Sequence, residues 1–281
     1  MQMRNTVGAR SLPRLSLTAL AVVSLFGSAS AASLDEIKAR GHLTAVTEDD
    51  FRPFEFVQDG KPTGFDNELL EKLNERGPIE VRQEIIPFTG LLAGVVSGKY
   101  DAAITGLLIT KDRQKSLDFT VPIAEATIYY VKRKGDDRIK SVADLNGLSF
   151  GIQAGSAMYQ RLPELETLLA KTSGKLGKAE QYTSYPEAYQ DLALGRTDYV
   201  VNNIIGLQTL LREKPDVFEI GEPVSSKTYV AWAVAKGNDT LRAYLDEFLK
   251  EQRRNGTIEA LQTKWFGTTF PDLPDGFVSE Y

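Results

Sequence analysis

Short apolar runs alternate with longer amphipathic segments along most of this chain, and that alternation constrains its fold more than any other feature. The apolar runs have the length of buried strands, and the segments between them have the periodicity of helices that pack on one face. Strands and helices that alternate in this way indicate α/β units with parallel sheets. The predicted strands are 42–47, 79–86, 102–105, 127–134, 149–153, 199–202 and 229–235. The predicted helices are 66–76, 88–97, 156–169, 185–194, 204–212, 240–255 and 258–265.

The composition narrows the classes of protein to which the chain can belong. Its 281 residues are 42% hydrophobic and 25% charged, which is typical of a globular protein and excludes disorder, collagen and coiled coil. The absence of cysteine excludes a disulfide scaffold and a thiolate metal site, and a single histidine, His42, argues against a zinc cluster. A formal charge of −5 leaves no basic surplus for nucleic acid. We therefore expect no metal, no cofactor and no nucleic-acid partner.

Residues 1–31 predict a signal peptide. Arg4, Arg10 and Arg14 give a positive start, residues 15–27 are apolar, and the small residues at 29–31 suit signal peptidase. The apolar run is shorter than the roughly 20 residues that a membrane-spanning helix needs, and an uncleaved anchor is the alternative. No cysteine follows the run, so a lipid anchor is excluded. Cleavage removes three arginines and no acid, which leaves an exported, soluble protein with a net charge of −8.

One connection between a helix and a strand occurs twice in the chain. Residues 97–101 and residues 194–198 both contain a glycine, a basic residue and an aspartate ahead of an apolar strand. A glycine at a helix end readily adopts the left-handed conformation that closes the helix. The repetition favours two equivalent α/β halves, although it is also a common way to connect a helix to a strand.

Arg113 is the first candidate for ligand binding. It lies in the segment 105–113, directly after the predicted strand 102–105, and ligands of α/β sheets bind beyond the carboxyl ends of the strands. A guanidinium at that place offers a rigid pair of donors that suits a carboxylate. An ordinary arginine on a surface helix is the alternative interpretation.

Gly155, Ser156 and Ala157 follow the predicted strand 149–153 in the second half of the chain. Ser156 is a good N-cap, and the free N–H groups at the start of a helix attract anions. Together with Arg113, this segment would close on one ligand carboxylate. A routine helix cap is the alternative interpretation.

Four stretches of the chain carry recognisable motifs in a fixed order. They are FRPFE with GFDNEL at 51–55 and 64–69, ITKDR with LDFTVP at 109–113 and 117–122, GRTD at 195–198, and NGT with KWFG at 255–257 and 264–267. In this order they resemble the periplasmic solute-binding proteins of ABC importers, specifically the polar amino-acid family. The resemblance covers most of the chain that follows the signal peptide.

The resemblance implies an α/β fold with the two lobes of a type II periplasmic binding protein. Each lobe is expected to contain a mixed, mostly parallel sheet flanked by helices. We expect residues 32–126 and 229–281 to form lobe 1 and residues 127–228 to form lobe 2. Two strands join the lobes in this family, and the lobes close over a small solute.

The family's pattern also implies which residues hold the carboxylate of the ligand. Arg113 matches the family's carboxylate arginine, and Ser156, together with the Ala157 amide, matches the anion cap of the second lobe. Gly106 belongs to the same set of ligand-binding residues.

Three further residues match positions that contact the rest of the ligand. Phe51 and Phe88 fall where the family often sandwiches the ligand side chain, and aromatic faces add contact area there. Phe88 could equally belong to the core face of its own helix. Glu48 matches the group that reads the distal end of the ligand, while Asp49 and Asp50 suit a solvated turn.

Two positions depart from the family's pattern, and both concern the α-ammonium of the ligand. Leu108 stands where the family has serine or threonine, and Asn203 stands where it has aspartate. A shift of the register by one residue would place Asn202 there, which is also an amide. Burial of an ammonium without a paired charge would cost several kcal/mol. The ligand should therefore lack a free α-ammonium at that point, unless Glu48 or residues 49–50 supply a displaced carboxylate.

The leading functional hypothesis is a monomeric, non-enzymatic periplasmic receptor that delivers a small carboxylate to the membrane permease of an ABC importer. Amino acids and their N-modified or deaminated relatives are the expected solutes. One alternative is an enzyme on the same scaffold, similar to cyclohexadienyl dehydratase, with Glu48 as the acid or base in the cleft. Another alternative is a sensor or accessory protein that binds a solute without serving an importer.

Overall fold

The computed structural model describes residues 1–3, 31–276 and 278, so almost all of the predicted signal peptide lies outside the described residues. The helices are α1 (Leu34–Arg40), α2 (Phe65–Glu75), α3 (Leu91–Val96), α4 (Lys111–Gln114), α5 (Met158–Ala170), α6 (Tyr185–Ala193), α7 (Ile204–Glu213), α8 (Asp239–Arg254) and α9 (Thr257–Phe266). In the described part of the chain, no helix has the length and apolarity to cross a membrane.

The strands fall into two large sheets and one small one. They are β1 (His42–Glu48), β2 (Asp50–Phe51), β3 (Glu55–Gln58), β4 (Lys61–Thr63), β5 (Glu80–Ile86), β6 (Ala102–Leu108), β7 (Leu117–Phe119), β8 (Ala124–Glu125), β9 (Ile128–Arg133), β10 (Phe150–Gln153), β11 (Ala179–Tyr182), β12 (Tyr199–Asn203), β13 (Phe218–Pro223) and β14 (Tyr229–Ala235). The small sheet contains β2, β3 and β4 in that order.

The first large sheet, which with its helices we call lobe 1, has the order β5-β1-β6-β14-β7, and β8 also pairs with β14. Strands β5, β1 and β6 run parallel, and β14 is antiparallel to its neighbours. Strand β6 is buried along its whole length, whereas β5 alternates between exposed and partly buried residues because it lies at the edge. Helices α2, α3 and α8 pack on this sheet. It is a mixed α/β layer structure.

The second large sheet, which with its helices we call lobe 2, has the order β11-β10-β12-β9-β13. Strands β11, β10 and β12 are parallel, and β9 pairs antiparallel with β12 and β13. Helices α6 and α7 pack on this sheet, and α5 contacts β10. The two sheets therefore repeat one plan, in which three parallel strands adjoin antiparallel ones, and this confirms the predicted fold class.

The chain passes between the two lobes twice, and the two passages lie side by side. The first leads from β8 into β9, and the second leads from β13 into β14. The N–H of Ala126 donates to the carbonyl of Thr228 at 2.8 Å, and the N–H of Val224 donates to the carbonyl of Ile128 at 2.8 Å. The strands of the first large sheet lie within the ranges predicted for lobe 1, and those of the second lie within the range predicted for lobe 2. The exact boundaries at 126/127 and 228/229 stay a prediction.

A buried polar network fixes the interior of lobe 1 behind β6. The indole N–H of Trp232 donates to Asp66 at 2.6 Å, and the hydroxyl of Thr105 donates to Glu55. Burial raises the pKa of Asp66 to about 7, and burial beside Asp66 raises the pKa of Glu55 well above its usual range. Glu55 therefore keeps its proton at neutral pH, and the two hydrogen bonds tie β6 to β3 and β14 to α2.

Candidate functional site

A small chamber lies between the lobes at the carboxyl ends of β1, β6 and β10, and we call it the inner chamber. Its free volume is about 20 Å³, which is room for about one water molecule. Eight of the predicted site residues line it: Glu48, Phe51, Phe88, Gly106, Leu108, Arg113, Ser156 and Ala157. The structure therefore brings together residues that are distant in sequence and belong to both lobes.

Arg113 lies in α4, a single helical turn whose N-cap is the hydroxyl of Thr110. The predicted strand before it continues to Leu108, so this arginine follows a longer strand than the sequence indicates. Its Nη1 donates to the carbonyl of Leu108 at 3.0 Å, and its guanidinium carbon lies 5.6 Å from the ring centroid of Phe88. Only 8% of the residue is exposed.

The guanidinium of Arg113 is a buried cation that lacks an ionised partner. Burial lowers the pKa of Arg113 to about 10, which still leaves the group charged at neutral pH. It forms no ion pair with a carboxylate of residues 31–276, and Glu48 is the carboxyl group whose charge acts on its pKa. A buried charge of this kind is costly unless an anion joins it, so the site is suited to an anionic ligand.

Ser156 is not the N-cap that the sequence predicts. Helix α5 begins at Met158 and its N-cap is Ala157, with no hydrogen bond from a side chain. The turn through Gly155, whose φ is 73°, delays the start of the helix, and a side chain at that φ would be strained. The hydroxyl of Ser156 is therefore available to the chamber instead of the helix, and it is buried without a hydrogen bond among the described residues.

Tyr185, the first residue of α6, is a site residue that the sequence analysis missed. It is 3% exposed, lines the inner chamber, and stacks on Phe51 with 6.0 Å between ring centroids. Its hydroxyl faces that of Ser156, and neither makes a hydrogen bond of good geometry in the described part of the chain. Burial raises the pKa of Tyr185 well above its usual range, so the hydroxyl keeps its proton and can donate it.

Glu48 joins the two lobes across the inner chamber. Its Oε1 accepts a hydrogen bond from Nε2 of Gln153, at the end of β10, and the residue is 2% exposed. Burial raises the pKa of Glu48 to about 8, while the bond from Gln153 and the charge of Arg113 oppose the rise. Most Glu48 side chains are therefore neutral at pH 7, and the chamber carries the positive charge of Arg113.

We expect Glu48→Gln to flatten the pH dependence of stability. The pKa of Glu48 is 4.5 unfolded and about 8 folded, so the folded state binds the extra proton between those values. Protonated Glu48 therefore contributes stability that is fully present below pH 4.5, and this contribution is lost as the pH rises toward 8. Glutamine is neutral throughout and still accepts from Gln153, so the variant should melt several degrees higher than the wild type at pH 8 and close to it at pH 5.

Glu84→Gln is the matched control, because Glu84 is an exposed carboxylate on the neighbouring strand β5. Its melting temperature relative to the wild type should be the same at both pH values. Equal pH dependence in Glu48→Gln and wild type would show that Glu48 titrates as an ordinary surface acid.

Asn203 is the one predicted site residue outside the lining of the inner chamber. It is fully buried at the start of α7, where its Oδ1 accepts from the N–H of Gly206 at 2.9 Å and its Nδ2 donates to Asn202 at 3.3 Å. Asparagine is a favoured N-cap, and this capping bond explains its position. Its part in an ammonium subsite stays a prediction.

The aromatic residues of the cleft form a continuous stack from one lobe to the other. The centroid distances are 5.2 Å for Phe54 to Phe51, 6.0 Å for Phe51 to Tyr185, and 5.9 Å for Tyr185 to Tyr189. Phe51 therefore faces Tyr185 of lobe 2 as well as the chamber. Phe88 has both of the roles that the sequence analysis considered: it lines the inner chamber, and it packs in the core with α3.

The inner chamber combines one buried guanidinium with two unpartnered hydroxyls, those of Ser156 and Tyr185, and with the start of α5. Each of these groups donates hydrogen bonds, and the neutral form of Glu48 adds no negative charge. Such a donor set suits a carboxylate and offers an ammonium no counter-charge. Within residues 31–276, no group of histidine and acidic side chains is placed to hold a metal ion.

Two α/β lobes that close over a buried, donor-lined chamber have the architecture of a solute-binding protein. Residues 43–268 match the family model of the bacterial extracellular solute-binding proteins, family 3, and the chain belongs to that family. The chain is 29% identical to the L-cystine-binding protein TcyJ of Escherichia coli K12 over 255 residues, which are 90% of this chain and 93% of that protein.

Solved structures give the same result for the fold. An ancestral arginine-binding protein bound to arginine superposes with a TM-score of 0.72 at 34% identity, over 81% of this chain and 99% of the other. The ancestral amino acid-binding protein AncCDT-1, a precursor of cyclohexadienyl dehydratase, gives a TM-score of 0.73 at 29% identity, over 83% and 98% of the two chains.

Proposed function

We propose that this protein is the periplasmic receptor of an ABC importer and binds an amino acid or amino-acid-like carboxylate between its two lobes. The observation that carries the proposal is Arg113, a buried guanidinium with no ionised partner in the described chain, beside the hydroxyls of Ser156 and Tyr185. In the proposed complex the ligand carboxylate accepts from these three side chains and from the Ala157 amide. The anion thereby supplies the charge that Arg113 lacks.

The family to which the chain belongs supports the rest of this assignment. Its members are extracellular solute-binding proteins, and a signal peptide at 1–31 would export this chain to the periplasm. We propose that the exported protein is a monomer, that its partners are the solute and a membrane permease, and that it performs no reaction. The relatives compared above are named as binding proteins, which supports the last point.

We further propose that the preferred solute has no free α-ammonium beside its carboxylate. Leu108 brings an apolar side chain to the inner chamber, Asn203 is neutral, and Glu48 is largely protonated at pH 7. An α-ammonium placed there would lose its hydration without gaining a counter-charge.

A dehydratase on the same scaffold is the second candidate, and one observation favours it. Glu48 is a buried carboxyl in the cleft with a pKa raised to about 8, which is the kind of group that acts as an acid or base near neutral pH. The comparison with AncCDT-1 concerns an amino acid-binding protein that is named as a precursor of such an enzyme. Product formation from a cyclic carboxylate that stops in Glu48→Gln would establish this function.

A thermal-shift screen of residues 32–281 tests the proposed function. The probes are the twenty amino acids together with their 2-hydroxy, 2-keto and Nα-acetyl analogues. A tight ligand raises the melting temperature by mass action, and we expect the largest shifts among the analogues. No shift from any carboxylate, confirmed by calorimetry, would overturn the receptor assignment.

A further inference from the structure

A second and larger chamber adjoins the inner chamber on the other side of the stacked rings of Phe51 and Tyr185. We call it the outer chamber, and its free volume is about 420 Å³, against about 20 Å³ for the inner one. Both rings line both chambers. Asp50 and Arg52 of lobe 1 face Tyr189, Asn202 and Glu213 of lobe 2 across it. Of the nine predicted site residues only Phe51 lies on its wall, which also contains Asp50 and Asn202, two residues that the sequence analysis offers as alternatives for the ammonium subsite.

The two chambers are positioned to hold two ends of one solute. The inner chamber has the donors for a carboxylate but room for about one water molecule, whereas an amino-acid-sized solute needs several times that volume. Phe51 and Tyr185 belong to different lobes, so a movement of the lobes apart would separate the two rings and join the chambers. Gly206 brings the lobes close at this point, since a Cβ there would lie 3.5 Å from the carbonyl oxygen of Arg52.

The outer chamber is lined by acids and aromatic faces. Oδ1 of Asp50 is buried without a hydrogen bond, although Nε of Arg52 lies 3.2 Å away. The hydroxyl of Tyr189 accepts from Asn202 at 2.7 Å, and the charges of Glu213 and Asp50 act on it. The carboxylates of Asp50 and Glu213, which Arg52 approaches at 3.2 Å and 3.8 Å, lie on the same chamber wall as aromatic residues, and this combination favours a bound cation.

The basic residues of the outer chamber are already engaged or lie at its edge. Arg52 stands between the two acids, with Nη1 at 3.8 Å from Glu213, and its guanidinium carbon covers the ring of Phe56 at 3.9 Å. Lys214 is exposed. Each acid keeps lone pairs that Arg52 does not use, so the interior of the chamber still offers acceptors to a second cation.

We propose that the outer chamber binds the ammonium-bearing end of the solute whose carboxylate binds at Arg113. The preferred ligand is then a zwitterion in which the two charges are separated by at least the width of an aromatic ring, as in an ω-amino carboxylate. This inference rests on the proposed function, because it assumes the carboxylate at Arg113. It also accounts for the neutral residues at Leu108 and Asn203, since the positive charge is bound elsewhere.

Calorimetric titration with 6-aminohexanoate and heptanoate tests the proposal, because these probes differ only in an ammonium or a methyl group at the far end. We expect 6-aminohexanoate to bind about tenfold or more tightly than heptanoate. Glu213→Gln and Asp50→Asn should each remove much of that preference, which is measured as the ratio of the two affinities in the same variant. Glu213 is half exposed, so its variant should fold normally.

Asp216→Asn is the control for long-range charge, because Asp216 is fully solvated and lies outside the chamber. It should leave both affinities unchanged. Equal affinity for the two probes, or an ammonium preference that survives in Glu213→Gln and Asp50→Asn, overturns the outer-chamber proposal while the receptor assignment stands. If neither probe binds but other carboxylates do, the proposal is also wrong. If no carboxylate binds at all, the proposed function fails first.

Discussion

Arg113→Ala is expected to weaken carboxylate binding by more than about 100-fold while the protein still folds. Removal of one member of a buried charge pair costs about 3–5 kcal/mol, and every 1.4 kcal/mol is about tenfold in affinity. In the complex that we propose, the guanidinium is the only full positive charge among the residues that line the inner chamber. Titration calorimetry of the best ligand from the carboxylate screen measures the effect.

Arg113→Met separates the loss of binding from the loss of folding. Methionine keeps the apolar stem of the side chain and removes the buried guanidinium. The pKa of Arg113 is lowered to about 10 because burial disfavours its charged form, so the folded protein loses no stabilising charge in this variant. The ligand-free variant should therefore melt at or above the temperature of the wild type. Arg82→Ala, at an exposed arginine of β5, is the control and should bind normally. Affinity within about threefold of wild type in Arg113→Ala would overturn the assignment of this residue.

Leu108→Thr together with Asn203→Asp is expected to create affinity for an unmodified α-amino acid. Aspartate caps helices as well as asparagine does, so position 203 can keep its bond to the N–H of Gly206 while it gains a charge. Threonine adds a hydroxyl to the chamber wall where Leu108 is apolar. The double change should also weaken the native ligand, because a new buried carboxylate would lack a counter-charge.

A complete cycle of the wild type, both single variants and the double variant measures whether the two positions act together. If both contact one ligand group, their effects on α-amino acid binding should differ from additivity by about 1 kcal/mol or more. Asn203→Asp alone should show part of the gain. Submicromolar binding of an unmodified α-amino acid by the wild type would contradict this interpretation, and Glu48 or Asp50 would then be the acid that pairs with the ammonium.

The sequence predicted most of the central strands and helices because their apolar residues follow a local period. Strand β1, for example, was predicted at 42–47 and extends over His42–Glu48. Where the period is weak, the prediction failed. Strand β13 contains glycine, proline and two glutamates among its six residues, and it is a strand only because it pairs with β9, which no local pattern reports. The extension of β6 to Leu108 depends in the same way on pairing with Val230.

The site residues that could be predicted are the charged or polar ones that stand at or just after the end of an apolar strand. Arg113 and Glu48 are charged residues at or beyond the carboxyl ends of buried strands, which is where α/β proteins bind ligands. Gln153 gives the same signal, as a polar residue that ends an apolar strand, and it could have been found. Tyr185 could not, because it is an ordinary first residue of a helix until the other lobe brings Phe51 against it.

The central claim is that the inner chamber recognises a carboxylate through Arg113, and a matched pair of ligands tests it most directly. The measurement is the calorimetric affinity of the best carboxylate and of its primary amide for the wild type and for Arg113→Met. We predict that the wild type binds the acid more than about 100-fold more tightly than the amide, and that Arg113→Met binds both weakly and alike. Equal affinity of the wild type for the acid and the amide would contradict the account.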